Sequence, residues 1–188
     1  MKKQIGLLIA TAAISITSFA NTFVNMQTSQ GNIEIELYDQ QAPITTQNFL
    51  NYVKSGFYQG TTFHRVIPNF MIQGGGFDKN LQEKKTAAPI KNEASNGVKN
   101  TRGTIAMART NDPNSATSQF FINTVDNQPL NQSTYDAGYT VFGKVVKGLD
   151  IVDKISNVNT TTKGIYQNVP TNPIQIERVQ IIGKNTSK

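Results

Sequence analysis

Three things are scarce in this 188-residue chain, and each scarcity removes a class of chemistry. Cysteine is absent, so disulfides, cysteine metal centres and thiol nucleophiles are excluded and the fold must be held by its core alone. Histidine occurs once, at His64, which rules out a multi-histidine metal site and leaves any serine nucleophile a single candidate base. No G-x-S-x-G elbow accompanies it. Long apolar runs are missing too. The one apolar stretch, from Ile5 to about Ile16, falls short of the roughly 20 residues that cross a bilayer, and no second follows. A glycine triplet at Gly74, Gly75 and Gly76 lacks the Gly-Lys-Ser/Thr that completes a phosphate loop. Internal repeats and low-complexity tracts are also lacking.

The apolar stretch has a different reading. Lys2 and Lys3 precede it and the small residues Ser18 and Ala20 follow, the order of a cleavable secretory leader. Residues 1–20 are therefore expected to be a signal peptide and 21–188 a single domain, exported to the periplasm, or secreted where the cell has no outer membrane. No membrane association is expected after cleavage at Ala20, because Asn21 offers no thiol for a lipid. The whole chain carries 18 Lys and Arg against 12 Asp and Glu. Loss of Lys2 and Lys3 leaves 16 − 12 = +4, too mild for a nucleic-acid footprint. Lys79, Lys84, Lys85, Lys91, Lys99, Arg102 and Arg109 share one window with Asp78, Glu83 and Glu93, which reads as a solvated loop.

Alternation of apolar and polar residues marks eight strands: FVNMQTS, NIEIELY, TTFHRVI, FMIQ, GTIAMA, QFFIN, YTVFGKVV and PIQIERVQII. APITTQNFLNYVKSG has a helical stripe in Ile44, Phe49, Leu50 and Val53, with Pro43 in the first turn and Gly56 at the stop. KGLDIVDKI reads as a shorter second helix. The polar segments 77–101, 109–118, 124–138 and 157–173 are expected to be loops. Connections this short favour antiparallel neighbours, and eight strands suffice to close a barrel filled by its own side chains. The expectation is a mainly β fold, a closed eight-stranded antiparallel barrel capped by two helices. In QFFIN, Phe120 and Ile122 point one way, Gln119 and Phe121 the other. An outward ring beside an amide is a surface for something apolar that carries a carbonyl.

The stretch FHRVIPNFMIQGG sets Arg65 and Gln73 among Phe63, Phe70 and Met71, and a plain core strand needs neither polar group. The run of Tyr58, Thr61, Phe63, His64, Arg65, Val66, Ile67, Phe70, Met71, Gln73, Gly74 and Gly75 resembles the signature of the cyclophilins in type and spacing. GTIAMA at 103–108, SQFFI at 118–122 and VFGKV at 141–145 extend the likeness over nearly the whole mature chain. IQGGGF, GTIAMART and GKVVKGLDIVDKI are most similar to the periplasmic bacterial members.

The resemblance implies cofactor-free peptidyl-prolyl cis-trans isomerase activity, with no metal, a site on the barrel's outer face, and proline-containing polypeptides as partners of a monomer. It puts the catalytic arginine at Arg65 and the carbonyl-binding glutamine at Gln73. The proline pocket falls on Phe70, Met71, Phe121 and Leu130, a further polar wall on Gln119, and the substrate-pairing backbone on Ala108, Arg109 and Thr110. His64 stays structural. Strict alternation does not bring Phe70, Met71 and Gln73 to one face, so a bend is expected near Gly74–Gly76. Pro129, Tyr139 and Arg109 stand where many members have tryptophan, histidine and asparagine. These departures bear on peptide preference and imply weakened affinity for cyclosporin. A non-catalytic proline-peptide module or holdase on the same fold is the alternative, and would be expected to lack the arginine.

Overall fold

Ile33, Ile35 and Leu37 are fully buried while Glu34 and Glu36 keep partial exposure, and the same period of two runs through most of the sheet. The computed structural model describes residues 20–186; the leader expected at 1–20 lies outside them except for Ala20. In chain order the strands are β1 (Ala20–Thr28), β2 (Gly31–Leu37), β3 (Arg65–Ile67), β4 (Met71–Gly74), β5 (Thr104–Met107), β6 (Phe120–Asn123), β7 (Val141–Lys147), β8 (Thr160–Lys163), β9 (Tyr166–Pro170) and β10 (Ile176–Thr186). Eight of them form one antiparallel sheet in the order β10-β1-β2-β7-β5-β6-β4-β3.

The expected closure does not occur. The sheet is an open, strongly curled half-barrel, because its edge strands β3 and β10 share no ladder. β3 is only three residues long, stopped by Pro68, which has no N–H, and by Asn69 turning at φ 56°. Between the edges lie the bridge Thr62–Gln175 and bonds from Phe63 N to Ile174 O and from Ile176 N to Thr61 O.

A second difference is the hairpin β8–β9, a separate two-stranded sheet where a loop was expected. Its strands, TTTK and YQNVP, show no apolar alternation. Gly164 at φ 59° makes the turn, and β9 lies against β3.

Helix α1 (Pro43–Lys54) begins at the expected proline and ends before Gly56. Ala42 cannot cap it. Glu93 does so from 49 residues away, accepting from Ile44 N at 3.1 Å and from Thr45 N at 2.8 Å, two of the donors that a helix leaves unpaired. Its buried face is Thr45, Thr46, Phe49, Leu50, Tyr52 and Val53; Ile44, placed in the stripe from sequence, is 44% exposed. Helix α2 (Leu149–Ser156) buries Val152 and Ile155.

The core inside the curl is aromatic. Phe49 packs on Tyr58, Phe120 and Phe142 at ring separations of 5.1, 5.9 and 5.3 Å, and Ile72, Ile105 and Ile122 fill the space around them. On the outer face a second, smaller cluster gathers Met71, Ala106, Phe121 and Val141.

Candidate active site

The outer cluster is the floor of a hollow of about 110 Å³ lined by Arg65, Phe70, Met71, Gln73, Ala108, Arg109, Phe121, Leu130 and Tyr139. That is roughly four water molecules' share of liquid volume, room for one small ring. The pairing registers explain the convergence. Arg65 stands opposite Gln73, and Gln73 opposite Phe121, so one row across three strands carries a guanidinium, an amide and a phenyl ring. Residues directly opposite each other share a face.

Met71 and Gln73 are two apart and face the same way. Phe70 precedes β4 and belongs to the turn after Pro68, where its N–H reaches Ile67 O at 3.2 Å. The bend that groups the three residues therefore lies at Asn69, not at Gly74–Gly76.

Polar groups form a line along the rim. Arg65 Nη1 donates to Gln73 Oε1 at 3.3 Å, and Gln73 Nε2 donates to Gln119 Oε1 at 3.0 Å. Gln119 does not line the hollow itself. It lines an adjoining groove with His64, Arg65, Gln73 and Phe77, walled by Tyr166 and Asn168 of the hairpin. His64 packs on Phe77 at 4.6 Å between centroids and is 6% exposed; burial pushes its imidazole down to about 4, so it is neutral at pH 7.

The opposite wall is built from Tyr139 and Arg109. Tyr139 meets Phe121 edge-on at 5.6 Å, and the Arg109 guanidinium lies 4.4 Å over the Tyr139 ring. Arg109 is not the solvated cation that its loop suggested, since its side chain is only 7% exposed. Among Ala108, Arg109 and Thr110, hydrogen bonding is unequal. Ala108 N donates to Gln119 O at 3.0 Å and Thr110 N to Ser115 Oγ at 2.9 Å. Arg109 N–H and C=O have no partner among the described residues, which leaves a pair of main-chain groups open at the hollow's edge. Thr110 is exposed and lies outside the lining.

Sequence reasoning missed what holds these walls from behind. Asn100, 1% exposed, donates to Leu130 O at 3.1 Å and Tyr139 O at 3.3 Å. Asn127 donates to Phe70 O at 2.8 Å and to Asn123 Oδ1 at 2.7 Å, and Asn123 in turn reaches Asn100 and Thr104. Three buried amides thus anchor the main chain of three lining residues. Their only sequence signal is asparagine at the end of an apolar strand, in QFFIN.

Wider hollows exist, such as one of about 350 Å³ between the end of α1 and β10, but they bring no comparable set of apolar and polar groups together. Among the described residues no three His, Asp or Glu side chains converge as metal ligands, and no helix is long and apolar enough to cross a membrane.

A curled antiparallel sheet bearing on its outside a small hollow with an apolar floor, edged by arginines and amides, defines a class of protein whose surface has the chemistry to take an apolar ring flanked by carbonyls. Comparison with known proteins places that class within a family. The family model described as cyclophilin type peptidyl-prolyl cis-trans isomerase matches residues 23–181. A peptidyl-prolyl cis-trans isomerase of Acinetobacter baylyi is 63% identical over 188 residues, the full length of both chains. Peptidyl-prolyl cis-trans isomerase A of Dickeya dadantii is 53% identical over 98% of this chain and 100% of its own. A crystal structure of a Cryptosporidium parvum cyclophilin type isomerase, in the presence of the dipeptide Ala-Pro, superposes with a TM-score of 0.72 at 28% identity, covering 86% of this chain and 99% of that one. This chain belongs to the cyclophilin-type family and is a peptidyl-prolyl cis-trans isomerase.

Proposed function

We propose that the outer-face hollow seats the proline ring of an X-Pro segment and that Arg65 supplies the catalytic contact. Rotation about an X-Pro bond breaks amide resonance, a barrier of about 18–20 kcal/mol, and takes tens to hundreds of seconds unaided. In the twisted state the prolyl nitrogen becomes pyramidal and gains a lone pair. A guanidinium beside it then makes a hydrogen bond that the planar ground state does not accept, so the transition state is bound more tightly than the substrate. Phe70, Met71, Phe121 and Leu130 grip the ring. Gln73, backed by Gln119, holds a carbonyl, and the free main-chain groups of Arg109 pair with the residues beside the proline.

The observation that carries this reading is the position of Arg65, tied through Gln73 to Gln119 on the rim of a hollow whose floor is Phe70, Met71, Phe121 and Leu130. A non-catalytic holdase would need the hollow and not the arginine. A hydrogen bond to a charged group contributes about 1.5–3 kcal/mol, or roughly tenfold to more than a hundredfold in rate. The test is isomerisation of an X-Pro peptide by wild type and Arg65→Ala, with folding checked by circular dichroism. A loss of that size is expected, with partial impairment in Arg65→Lys because an ammonium does not reproduce the planar fork. Near-wild-type rates from folded Arg65→Ala would sink the mechanism.

The setting belongs to the same proposal. Residues 1–20 direct export, and the enzyme acts on proline-limited folding of exported proteins in the periplasm. The order of Lys2 and Lys3, an apolar run and the small residues Ser18 and Ala20 supports this. Intact-mass measurement on the exported fraction of the native host should find a chain beginning at Asn21; full-length protein retained in the cytoplasm would overturn it. Proline-containing polypeptides are the partners, and cyclosporin a weak ligand.

A further inference from the structure

We propose that Asp136, which does not line the hollow, is the residue that positions its Arg109–Tyr139 wall. The inference rests on the reading of the hollow as the proline site.

Arg109 occupies its place through four contacts. Nε donates to Gly138 O at 3.0 Å, Nη1 to Thr110 O at 2.9 Å and Nη2 to Asp136 Oδ1 at 3.0 Å, while the guanidinium plane covers Tyr139. Asp136 Oδ1 also accepts from Gly138 N at 2.7 Å. One carboxylate therefore holds both the cation and the turn that delivers Tyr139. That turn has little freedom. Gly138 sits at φ 71°, and a Cβ there would lie 2.3 Å from Gln132 N. Tyr139 N closes the loop on Leu130 O at 3.0 Å, so Leu130 and Tyr139, both lining residues, move with it.

The charge is essential to this arrangement. A guanidinium that is 7% exposed needs a counter-charge and filled hydrogen bonds, and among the described residues Asp136 is its only acidic partner. Without it, the two carbonyl acceptors remain but the cation is driven toward water. Tyr139 then loses its cover, and its edge-on contact with Phe121 loosens. Arg65, Gln73 and their mutual bond lie on the other side of the hollow and are untouched. Loss of Asp136 therefore weakens the grip on substrate and spares the chemical step, the signature of uniform binding.

The experiment is steady-state isomerisation of an X-Pro peptide over a range of concentrations by wild type, Asp136→Asn, Asp136→Glu and Phe121→Ala, with the Arg109 Nε–H followed by NMR. Asp136→Asn keeps an oxygen to cap Gly138 and removes only the charge. We expect its KM to rise about three- to tenfold with kcat within twofold of wild type, and the Arg109 Nε–H to exchange faster with solvent. Asp136→Glu should recover most of the loss. An unchanged KM in Asp136→Asn, or a fall in kcat alone, overturns the proposal. If Phe121→Ala also leaves KM unchanged, the peptide does not sit in the hollow, and it is the proposed function that fails; the NMR signal still reads the positioning of Arg109.

Discussion

Four neighbouring strands serve two regions with opposite demands. Inside the curl, Ile72 of β4, Ile105 of β5, Phe120 of β6 and Phe142 of β7 are all 0% exposed and join one continuous aromatic and aliphatic core. Outside, Met71, Ala106, Phe121 and Val141 of the same strands form a second, smaller cluster, itself buried, whose partly buried neighbours Phe70, Leu130 and Tyr139 border an open hollow. The difference is one residue of register at each strand. A close-packed interior leaves nothing for a ligand, whereas the outer cluster borders an open hollow of about 110 Å³, the space proposed above to seat the proline ring. The scaffold can thus be rigid behind the hollow without filling it.

The sharpest way to break this comparison is to truncate adjacent rings. Phe120→Ala opens a void among Phe49, Tyr58 and Phe63 and should cost about 3–5 kcal/mol of folding stability. Phe121→Ala enlarges a hollow that water already reaches, so its stability loss should be smaller and its KM the larger casualty. Denaturant unfolding and peptide kinetics on both variants test this; equal stability losses, or a greater KM effect from Phe120→Ala, would show that the two faces are not energetically separate.

A second contrast lies in the neighbours His64 and Arg65, one buried and neutral, the other half-exposed at the rim. Burial lowers the His64 imidazole from 6.5 to about 4, so between those values the unfolded chain binds a proton that the folded chain refuses. Stability from this group is complete above about pH 6.5 and is lost as pH falls toward 4, by about 3 kcal/mol if the full shift applies. Unfolding free energies from pH 7 to 4 should fall more steeply for wild type than for His64→Gln. Parallel curves for the two would mean that His64 charges freely in the folded state.

Much of this was legible in the sequence, and the gaps have physical causes. Strands with one buried face declare themselves by alternation, and QFFIN displayed both regions in five letters. The β8–β9 hairpin did not, because it buries little and is held by a glycine turn and by contact with β3. Closure of the barrel depended on the edges near Thr61–Phe63 and Ile174–Ile176, which meet through an isolated bridge and a few main-chain bonds in place of a ladder, and alternation in the sequence does not tell the two apart. Arg65 and Gln73 stood out as polar residues in an apolar run. Asn100, Asn127 and Asp136 act through main-chain carbonyls, amides and a neighbouring cation, and no spacing rule marks such partners. The Arg109 side chain looked like one cation among several, and its burial, its pair with Asp136 and its stack on Tyr139 emerge only from the fold.

The smallest expected effect concerns the edge of the outer region. Pro129 lies in the short 3₁₀ turn Gln128–Leu130, exposed and one residue before Leu130 of the hollow. An indole at that position would add a flat apolar wall and an N–H donor, both able to serve a cyclic peptide such as cyclosporin. Proline supplies neither the donor nor comparable area. An acceptor on the bound peptide left without its partner costs about 1–3 kcal/mol, a factor of roughly ten to more than a hundred in affinity. Catalysis should change little, since Arg65, Gln73 and the floor of the hollow are untouched. Titrating cyclosporin against wild type and Pro129→Trp in one isomerase assay decides the matter. Tight inhibition of both to the same degree would mean that Tyr139, or the fully exposed Tyr135 at 98%, already provides what the indole would add, and that the boundary of the outer region lies further out than residue 129.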